Sequence, residues 1–137
     1  MSTTIAVNLP VQDLTASTAF FTTLGFSISP QFASETNMEC LVISDDIYVL
    51  LLEEARFQAT TKKAIVDATT HAEVILQLRV ESRQRVDELV DMALAAGAVP
   101  HNEPNDQGFL YGRSFQDLDR HLWDVFYIDP AALRGQA

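Results

Sequence analysis

Residues 74–97 read VILQLRVESRQRVDELVDMALAAG, and this stretch predicts a strand followed by a helix. Val74 to Val80 alternates in the manner of a strand. Ser82 is a residue type that caps helices, and Gly97 is typical of the left-handed position where a helix ends. Between them apolar side chains recur with helical spacing, which is the strongest helix signal in the chain; they are Val86, Leu89, Val90, Ala93 and Leu94.

The same order of elements is predicted in both halves of the chain. In the first half a strand over Thr4 to Leu9 precedes a helix that Asp13 caps and Gly25 ends. Further strands follow each helix, at 26–32, 39–44 and 47–52 in the first half and at 98–103, 109–115 and 122–128 in the second. Residues 53–68 are interpreted as a partly helical connector and 131–137 as a loose tail. The pattern therefore indicates an internal repeat.

Composition excludes several classes of partner. The 137 residues are 47% hydrophobic and 20% charged, which is typical of a globular domain, and the formal net charge is −10. Such a surface repels nucleic acid and anionic lipid, so we expect neither as a partner. Cys40 is the only cysteine, the first four residues lack the features of a signal peptide, and the longest apolar run, 47–52, is too short to cross a bilayer. We expect a soluble cytoplasmic protein.

Three stretches together resemble one superfamily. VQDL at 11–14 leads into a helix and then LGF at 24–26, AAGA stands at 95–98, and DLDRHLWDV stands at 117–125. In this order they are similar to the vicinal-oxygen-chelate superfamily, which includes glyoxalases, bleomycin resistance proteins and extradiol dioxygenases. The last stretch resembles that superfamily's closing segment, Asp-Pro-Asp-Gly-Asn/His followed by a metal-binding Glu.

The resemblance implies an α+β fold of two βαβββ modules in tandem. Their mixed, curled sheets would form an open half-barrel around a small-molecule pocket. The single domain would cover 1–137, with module one at about 1–53, a connector at 54–70 and module two at about 71–130. The resemblance also implies a homodimer. It does not fix a reaction, because the fold hosts isomerases, dioxygenases, thiol transferases and drug-binding proteins.

Metal-dependent members of the superfamily hold an ion with one ligand from each of four strands. The matching positions here are Ala6, Leu50 (or Val49 if the alignment slips by one), Ile75 and Asp124. Three of these side chains cannot bind a metal, and a catalytic ion normally needs about three protein ligands. We therefore expect no metal cofactor at this site.

Polar residues stand two positions away from the lost ligands and share their strand face. They are Asn8 beside Ala6, and Glu73 and Gln77 on either side of Ile75. One interpretation is that Asn8, Gln77 and Asp124 bind a polar ligand at the centre of the pocket. The other is that the two amides bind each other or ordered water, since buried amides need partners in either case.

Two further strands offer side chains to a pocket. Phe109, Tyr111 and Arg113 share one strand face. If that face lines the pocket, Tyr111 and Arg113 could bind an anionic or phenolic ligand; if it points outward, Arg113 pairs with Asp117 or Asp119. Phe126 is expected to add an aromatic wall. None of the histidines shows ligand spacing, and Cys40 is interpreted as a buried structural residue; the histidines are His71, His101 and His121.

Two functions remain open at this point. The first is a small-molecule-binding protein of the bleomycin-resistance kind, without the usual metal site. The alternative is an enzyme, either a metal-dependent lyase or dioxygenase, similar to lactoylglutathione lyase, with divergent ligands, or an isomerase that uses Asp124 and Tyr111 for acid–base chemistry. The loss of three ligands favours the binding protein.

Overall fold

The computed structural model describes residues 2–134, which form two compact units that divide between Asp67 and Ala68. The boundary lies inside the connector that the sequence predicts. In the first unit the elements are β1 (Ile5–Val11), α1 (Leu14–Thr23), β2 (Ser27–Ile28), β3 (Met38–Ser44), β4 (Ile47–Glu53) and α2 (Glu54–Gln58). In the second they are β5 (Ile75–Arg79), α3 (Arg83–Ala95), β6 (Val99–Pro100), β7 (Asn105–Asp106), β8 (Leu110–Gln116), β9 (Leu122–Ile128) and α4 (Pro130–Arg134).

The sheets of the two units have the same topology. The order is β1-β4-β3-β2 in the first unit and β5-β9-β8-β6 in the second, where β7 adds a short pairing to β8. In each unit the first strand runs parallel to the last one, and the other pairs are antiparallel. The predicted α+β fold of two βαβββ modules in tandem is confirmed.

Helix α3 and one face of its sheet form the core of the second unit. The helix begins at Ser82, whose side chain accepts a hydrogen bond from the Arg85 amide, and is followed by Gly97 with a φ of +113°. Its apolar side packs on alternate residues of β8 and β9. The buried residues of this core include Val86, Leu89, Val90, Ala93, Phe115, Trp123 and Val125.

The core of the first unit is built in the same way. The carboxylate of Asp13 caps α1 by accepting from the Ala16 amide at 3.0 Å, as the sequence predicts. The helix contributes Phe20, Phe21 and Leu24, and the strands contribute Leu9, Val11, Leu41, Val49 and Leu51. Strand β1 continues through Pro10, which is tolerated because β1 lies at the edge of the sheet.

Two strand predictions are wrong in extent, one short strand was not predicted, and the tail is partly helical. The strand expected at 26–32 is only Ser27–Ile28, because Pro30 begins a 3₁₀ turn over Pro30–Phe32 that Ser29 caps. The strand expected at 98–103 is only Val99–Pro100, and the short strand β7 was not predicted. The tail begins with helix α4, and residues 135–137 lie outside the described residues.

The turn between β8 and β9 is organised by a buried carboxylate. Asp117 is 2% exposed and accepts from the amides of Asp119 and His121 and from Trp123 Nε1 at 2.9 Å. Burial raises the pKa of this carboxyl group. Arg120 in this turn has a φ of +70°, the left-handed region where the resembled family has glycine. The bond to Trp123 fixes the start of β9 and so positions Asp124, the next residue.

No helix within residues 2–134 is long and apolar enough to cross a membrane.

Candidate functional site

A polar row crosses three neighbouring strands of the second unit, β5, β9 and β8, on the face opposite α3. The strand register pairs Gln77 of β5 with Asp124 of β9, and Asp124 with Ser114 of β8. Residues directly opposite one another on neighbouring strands point to the same side of the sheet. Gln77 Nε2 donates a hydrogen bond to Asp124 Oδ2 at 3.3 Å. The three side chains therefore present one carboxylate between an amide and a hydroxyl.

The floor beside this polar row is mostly apolar. Phe126 and Gly112 form the next row on β9 and β8, and Ile128 and Leu110 form the row after that. The exposed Arg79 of β5 lies opposite Phe126 but is not part of the cavity lining. A Cβ atom placed on Gly112 would meet only Phe126 Cβ at 3.5 Å and the Val125 carbonyl oxygen at 3.6 Å. Because Gly112 has no side chain, there is open space beside Phe126 on the β8 side.

These rows line a cavity of about 460 Å³. Its lining consists of Gln77, Asn102, Glu103, Asn105, Leu110, Gly112, Arg113, Ser114, Asp124, Val125, Phe126 and Ile128. All of these residues belong to the second unit. Sites for small organic molecules commonly have volumes of about 300–1,000 Å³ and combine an apolar wall with a few polar groups. The cavity has both properties.

The side chains of Tyr111 and Arg113 turn away from this cavity. The Tyr111 hydroxyl donates to Asp87 Oδ1 at 2.6 Å, and Arg113 Nη1 donates to Asp87 and Asp91 of α3 at 2.9 and 3.0 Å. Arg113 borders the cavity, but its guanidinium charge is bound to the helix on the other face. Arg113 pairs with Asp87 and Asp91, so the alternative pairing with Asp117 or Asp119 is wrong. A ligand-binding role for Tyr111 and Arg113 stays a prediction.

Electrostatics on the helix side follow from these contacts. The hydrogen bond from Tyr111 and the nearby guanidinium of Arg113 hold the pKa of Asp87 below its usual range. The same hydrogen bond, with partial burial, raises the pKa of the Tyr111 hydroxyl. Asp87 is therefore a carboxylate at neutral pH. Tyr111 is a protonated hydroxyl that donates its hydrogen to Asp87, so it is not suited to act as a base.

A second ion pair on the helix side joins α3 to β7. Arg83 Nη1 and Nη2 donate to the two carboxylate oxygens of Asp106 at 3.1 and 2.5 Å. The Arg83 guanidinium also lies over the Tyr111 ring, 4.4 Å from its centroid. The hydrogen bonds to Arg83 and to the Gly108 amide lower the pKa of Asp106. The sequence does not predict this pair, because the two residues are 23 positions apart and Asp106 lies in a strand only two residues long.

Comparison with known proteins agrees with this geometry. Residues 3–44 match the family described as bleomycin resistance protein-like N-terminal. A hypothetical protein from S. aureus is 31% identical over 93% of this chain and 95% of its own, with a TM-score of 0.79. A glyoxalase/bleomycin resistance protein/dioxygenase family enzyme from Burkholderia phytofirmans covers 90% of this chain and 96% of its own at 19% identity and a TM-score of 0.73. The chain belongs to the vicinal-oxygen-chelate superfamily.

Another member with a solved structure spans the whole chain. The fosfomycin resistance protein FosX from Listeria monocytogenes covers 100% of this chain and 99% of its own at 19% identity, with a TM-score of 0.68. At this level of identity the likeness shows the fold alone. None of the curated proteins matches the chain.

The residues of this superfamily member do not fit the metal site found in its metal-dependent relatives. The register pairs Leu50 with Asn8 in the first unit and Asp124 with Gln77 in the second, whereas Ala6 and Ile75 lie two residues away. Ala6, Leu50 and Ile75 have no side-chain atom that could bind a cation, so Asp124 is the one possible ligand among the four positions matched from the sequence. Gln77 turns its nitrogen, which cannot bind a cation, to Asp124. Within residues 2–134 no three His, Cys, Asp or Glu side chains form a group that could hold an ion.

The other predicted candidates are not members of the polar row. Asn8 is exposed in the first unit and donates to the Ala6 carbonyl oxygen at 3.4 Å, so its place in a shared pocket stays a prediction. Cys40 is 3% exposed, and burial raises the pKa of its thiol, as befits a structural cysteine. The ring Nδ1 of His71 lies 2.7 Å from the Thr70 hydroxyl, and Glu73 is exposed.

Proposed function

We propose that this protein binds a small organic molecule in the cavity of its second module, and that it does so without a metal ion. The observation that carries the proposal is the arrangement of the cavity floor. A polar row of Gln77, Asp124 and Ser114 lies directly beside an apolar surface formed by Phe126 and its neighbours. Such a floor can bind a molecule through one polar end and one flat apolar part.

The charges of the lining favour a ligand with hydrogen-bond donors, above all a protonated amine. Asp124 and Glu103 border the cavity, and the positive charge of Arg113 is bound to Asp87 and Asp91. The neighbouring amides and the Ser114 hydroxyl are neutral. A cation near two carboxylates in a partly enclosed site gains charge-assisted hydrogen bonds, which are stronger than neutral ones. The apolar part of the ligand would lie over Gly112 against the ring of Phe126.

The geometry supports binding more than acid–base catalysis. An isomerase built on Asp124 would need a second proton-transferring group within hydrogen-bond reach of the substrate. The candidate for that role, Tyr111, donates to Asp87 on the other face of the sheet. Beside Asp124 in its row stand only an amide and a hydroxyl, and the other carboxyl group of the lining, Glu103, belongs to the exposed segment that contains β7. Proteins named for bleomycin and fosfomycin resistance share this fold, so binding of a foreign molecule is a role we propose here as well.

The test uses three probes that share one ring system and differ in charge: tryptamine, indole and indole-3-acetate. We expect calorimetric titration at neutral pH to give the tightest binding for tryptamine and the weakest for indole-3-acetate. Asp124→Asn should weaken tryptamine binding by about 10- to 100-fold, because hydrogen bonds to charged groups contribute about 1.5–3 kcal/mol. Binding of neutral indole should change little.

The matched control is Glu88→Gln, which also turns a carboxylate into an amide but lies on α3, where Glu88 contacts Gln84 and Arg85. This variant should bind tryptamine as the wild type does. The proposal is wrong if none of the three probes binds, or if Asp124→Asn and Glu88→Gln have the same effect.

A further inference from the structure

We infer that Arg83 is a positioning residue for the cavity, because it fixes the segment that forms one cavity wall. This segment, called the strap, comprises residues 101–109 and contains β7. The strap supplies Asn102, Glu103 and Asn105 to the lining. Arg83 acts on this wall through its ion pair with Asp106. The part of this inference that concerns ligand binding rests on the function proposed above.

The strap has little hydrophobic contact to hold it in place. All of its residues are exposed, and even Phe109 is 44% exposed. Its regular pairing is limited to two residues of β7, Asn105 opposite Gly112 and Asp106 opposite Tyr111. Segments with few buried apolar contacts open locally at low free-energy cost. Polar contacts at a few points therefore decide where the strap lies.

The alternation of β7 links the two faces of the sheet. Asp106 lies opposite Tyr111, so its carboxylate points to the helix side and reaches Arg83. The preceding residue, Asn105, lies opposite Gly112 and points to the cavity side. Because the two residues are adjacent, fixing Asp106 on one face also fixes Asn105 on the other.

The Arg83 guanidinium is well suited to this task. It donates to both oxygens of Asp106, and this two-point contact sets the orientation as well as the distance. It is itself oriented by lying over the Tyr111 ring, whose hydroxyl is bound to Asp87 on the same helix. The same carboxylate also accepts from the Gly108 amide at 3.0 Å, so one contact organises both β7 and the turn after it.

The other end of the strap is fixed independently. The backbone N–H of Asn102 donates to the Ser114 hydroxyl at 2.9 Å, and Ser114 belongs to the polar row. Besides the backbone pairing of β7, the wall between Asn102 and Asp106 is thus held by side-chain contacts at two points. One is part of the cavity floor, and the other is the ion pair with α3. Loss of the ion pair should free the Asn105 end and leave the Asn102 end in place.

The first measurement is amide hydrogen exchange of the strap in Arg83→Gln. We expect the amides of residues 105–109 to exchange about 3- to 10-fold faster than in the wild type, the range for losing a partly exposed, two-point ion pair. The amide of Asn102, the amides of α3 and the melting temperature should not change. Arg85→Gln is the control, because Arg85 is on the same helix but its ion pair is with Glu88 at 3.7 Å.

Rescue separates an ion pair from a general effect of the substitution. The charge-swapped double variant Arg83→Asp with Asp106→Arg should exchange more slowly at residues 105–109 than either single variant. Tryptamine should dissociate faster from Arg83→Gln than from Arg85→Gln, with a dissociation constant about 3-fold or more higher.

The outcomes distinguish this inference from the proposed function. Unchanged exchange at residues 105–109 in Arg83→Gln overturns the role of Arg83, even if tryptamine binds. Faster exchange with rescue supports it, even if no probe binds the wild type and the proposed function fails. Faster exchange with unchanged tryptamine dissociation overturns only the link between the strap and binding.

Discussion

Filling the space above Gly112 should abolish ligand binding without harming the fold. Gly112 lies in the middle of β8, and its missing side chain leaves the ring of Phe126 open to the cavity. A Cβ atom there would make only ordinary contacts, at 3.5 and 3.6 Å. Gly112→Leu should therefore place its side chain in the cavity, on the surface where we expect the flat part of a ligand.

Both the stability and the binding effect can be given a size. Strand propensity spans about 1 kcal/mol and disfavours glycine, so the free energy of unfolding should stay within about 1 kcal/mol of the wild-type value or rise. Tryptamine affinity should fall by at least about tenfold, which is 1.4 kcal/mol or more. Thermal melting and calorimetric titration of the same preparation measure the two quantities.

Gly97 provides the contrast. Its φ is +113°, and a Cβ atom there would lie 3.1 Å from Leu118 Cδ2. Gly97→Ala should cost about 1–2 kcal/mol of unfolding free energy because a side chain is strained in this conformation. Wild-type binding of tryptamine by a stable Gly112→Leu protein would show that the ligand does not use this cavity. Unfolding of Gly112→Leu would show that Gly112 does not face open space.

Four further predictions concern the turn, the strap, the metal and the oligomeric state. Arg120→Gly should raise the free energy of unfolding by about 0.5–1 kcal/mol in denaturant titrations, because Arg120 has a φ of +70°; a loss of stability would contradict this. The pKa of Asp106 is lowered in the folded protein, so the stabilisation from its ion pair is present at neutral pH and is lost as the pH falls through that lowered value. The protection of the amides of residues 105–109 against hydrogen exchange, corrected for intrinsic rates, should therefore fall in acid in the wild type but not in Asp106→Asn. Equal pH profiles of the two proteins would refute this. Protein purified without chelator should contain less than about 0.1 transition metal ion per chain, and added nickel, zinc, manganese or ferrous ion should give no turnover of a hemithioacetal or a catechol; metal-dependent turnover abolished by Asp124→Ala would mean that the ligands are misplaced. The superfamily likeness favours a homodimer, and sedimentation as a monomer at micromolar concentration would count against it.

Local signals in the sequence were sufficient to predict the two long helices and the long strands. The caps at Asp13 and Ser82 act within one helical turn, so the residue types alone indicate where the helices begin. The same holds for the repeat, because each module repeats one order of strands and helix. Strand β7 was missed because two residues carry too little pattern, and its pairing is supported by an ion pair with a distant helix.

The prediction that Tyr111 and Arg113 lie on the same face of their strand is confirmed. The sequence interpretation did not decide whether this face lines the pocket or points outward. The sequence contained a signal that decides it. Phe115 is in phase with both residues and is fully buried against the core, whereas Gly112 and Ser114 are in the other phase with the cavity. An apolar residue in phase marks the core face, so Tyr111 and Arg113 had to meet α3. Their acidic partners could not be predicted, because that requires the position of the helix over the sheet.

The shared topology of the two modules also has a consequence for how they can change over time. The row that reads Gln77, Asp124 and Ser114 in the second module reads Asn8, Leu50 and Cys40 at the corresponding strands of the first. The two modules thus present different side chains at corresponding positions, and the strap belongs to the second module. After a duplication, one copy is free to acquire specificity while the other preserves the common scaffold. We therefore expect random mutagenesis under selection for new ligands to accumulate changes along β5, β8, β9 and the strap, and conservative apolar replacements at Leu50.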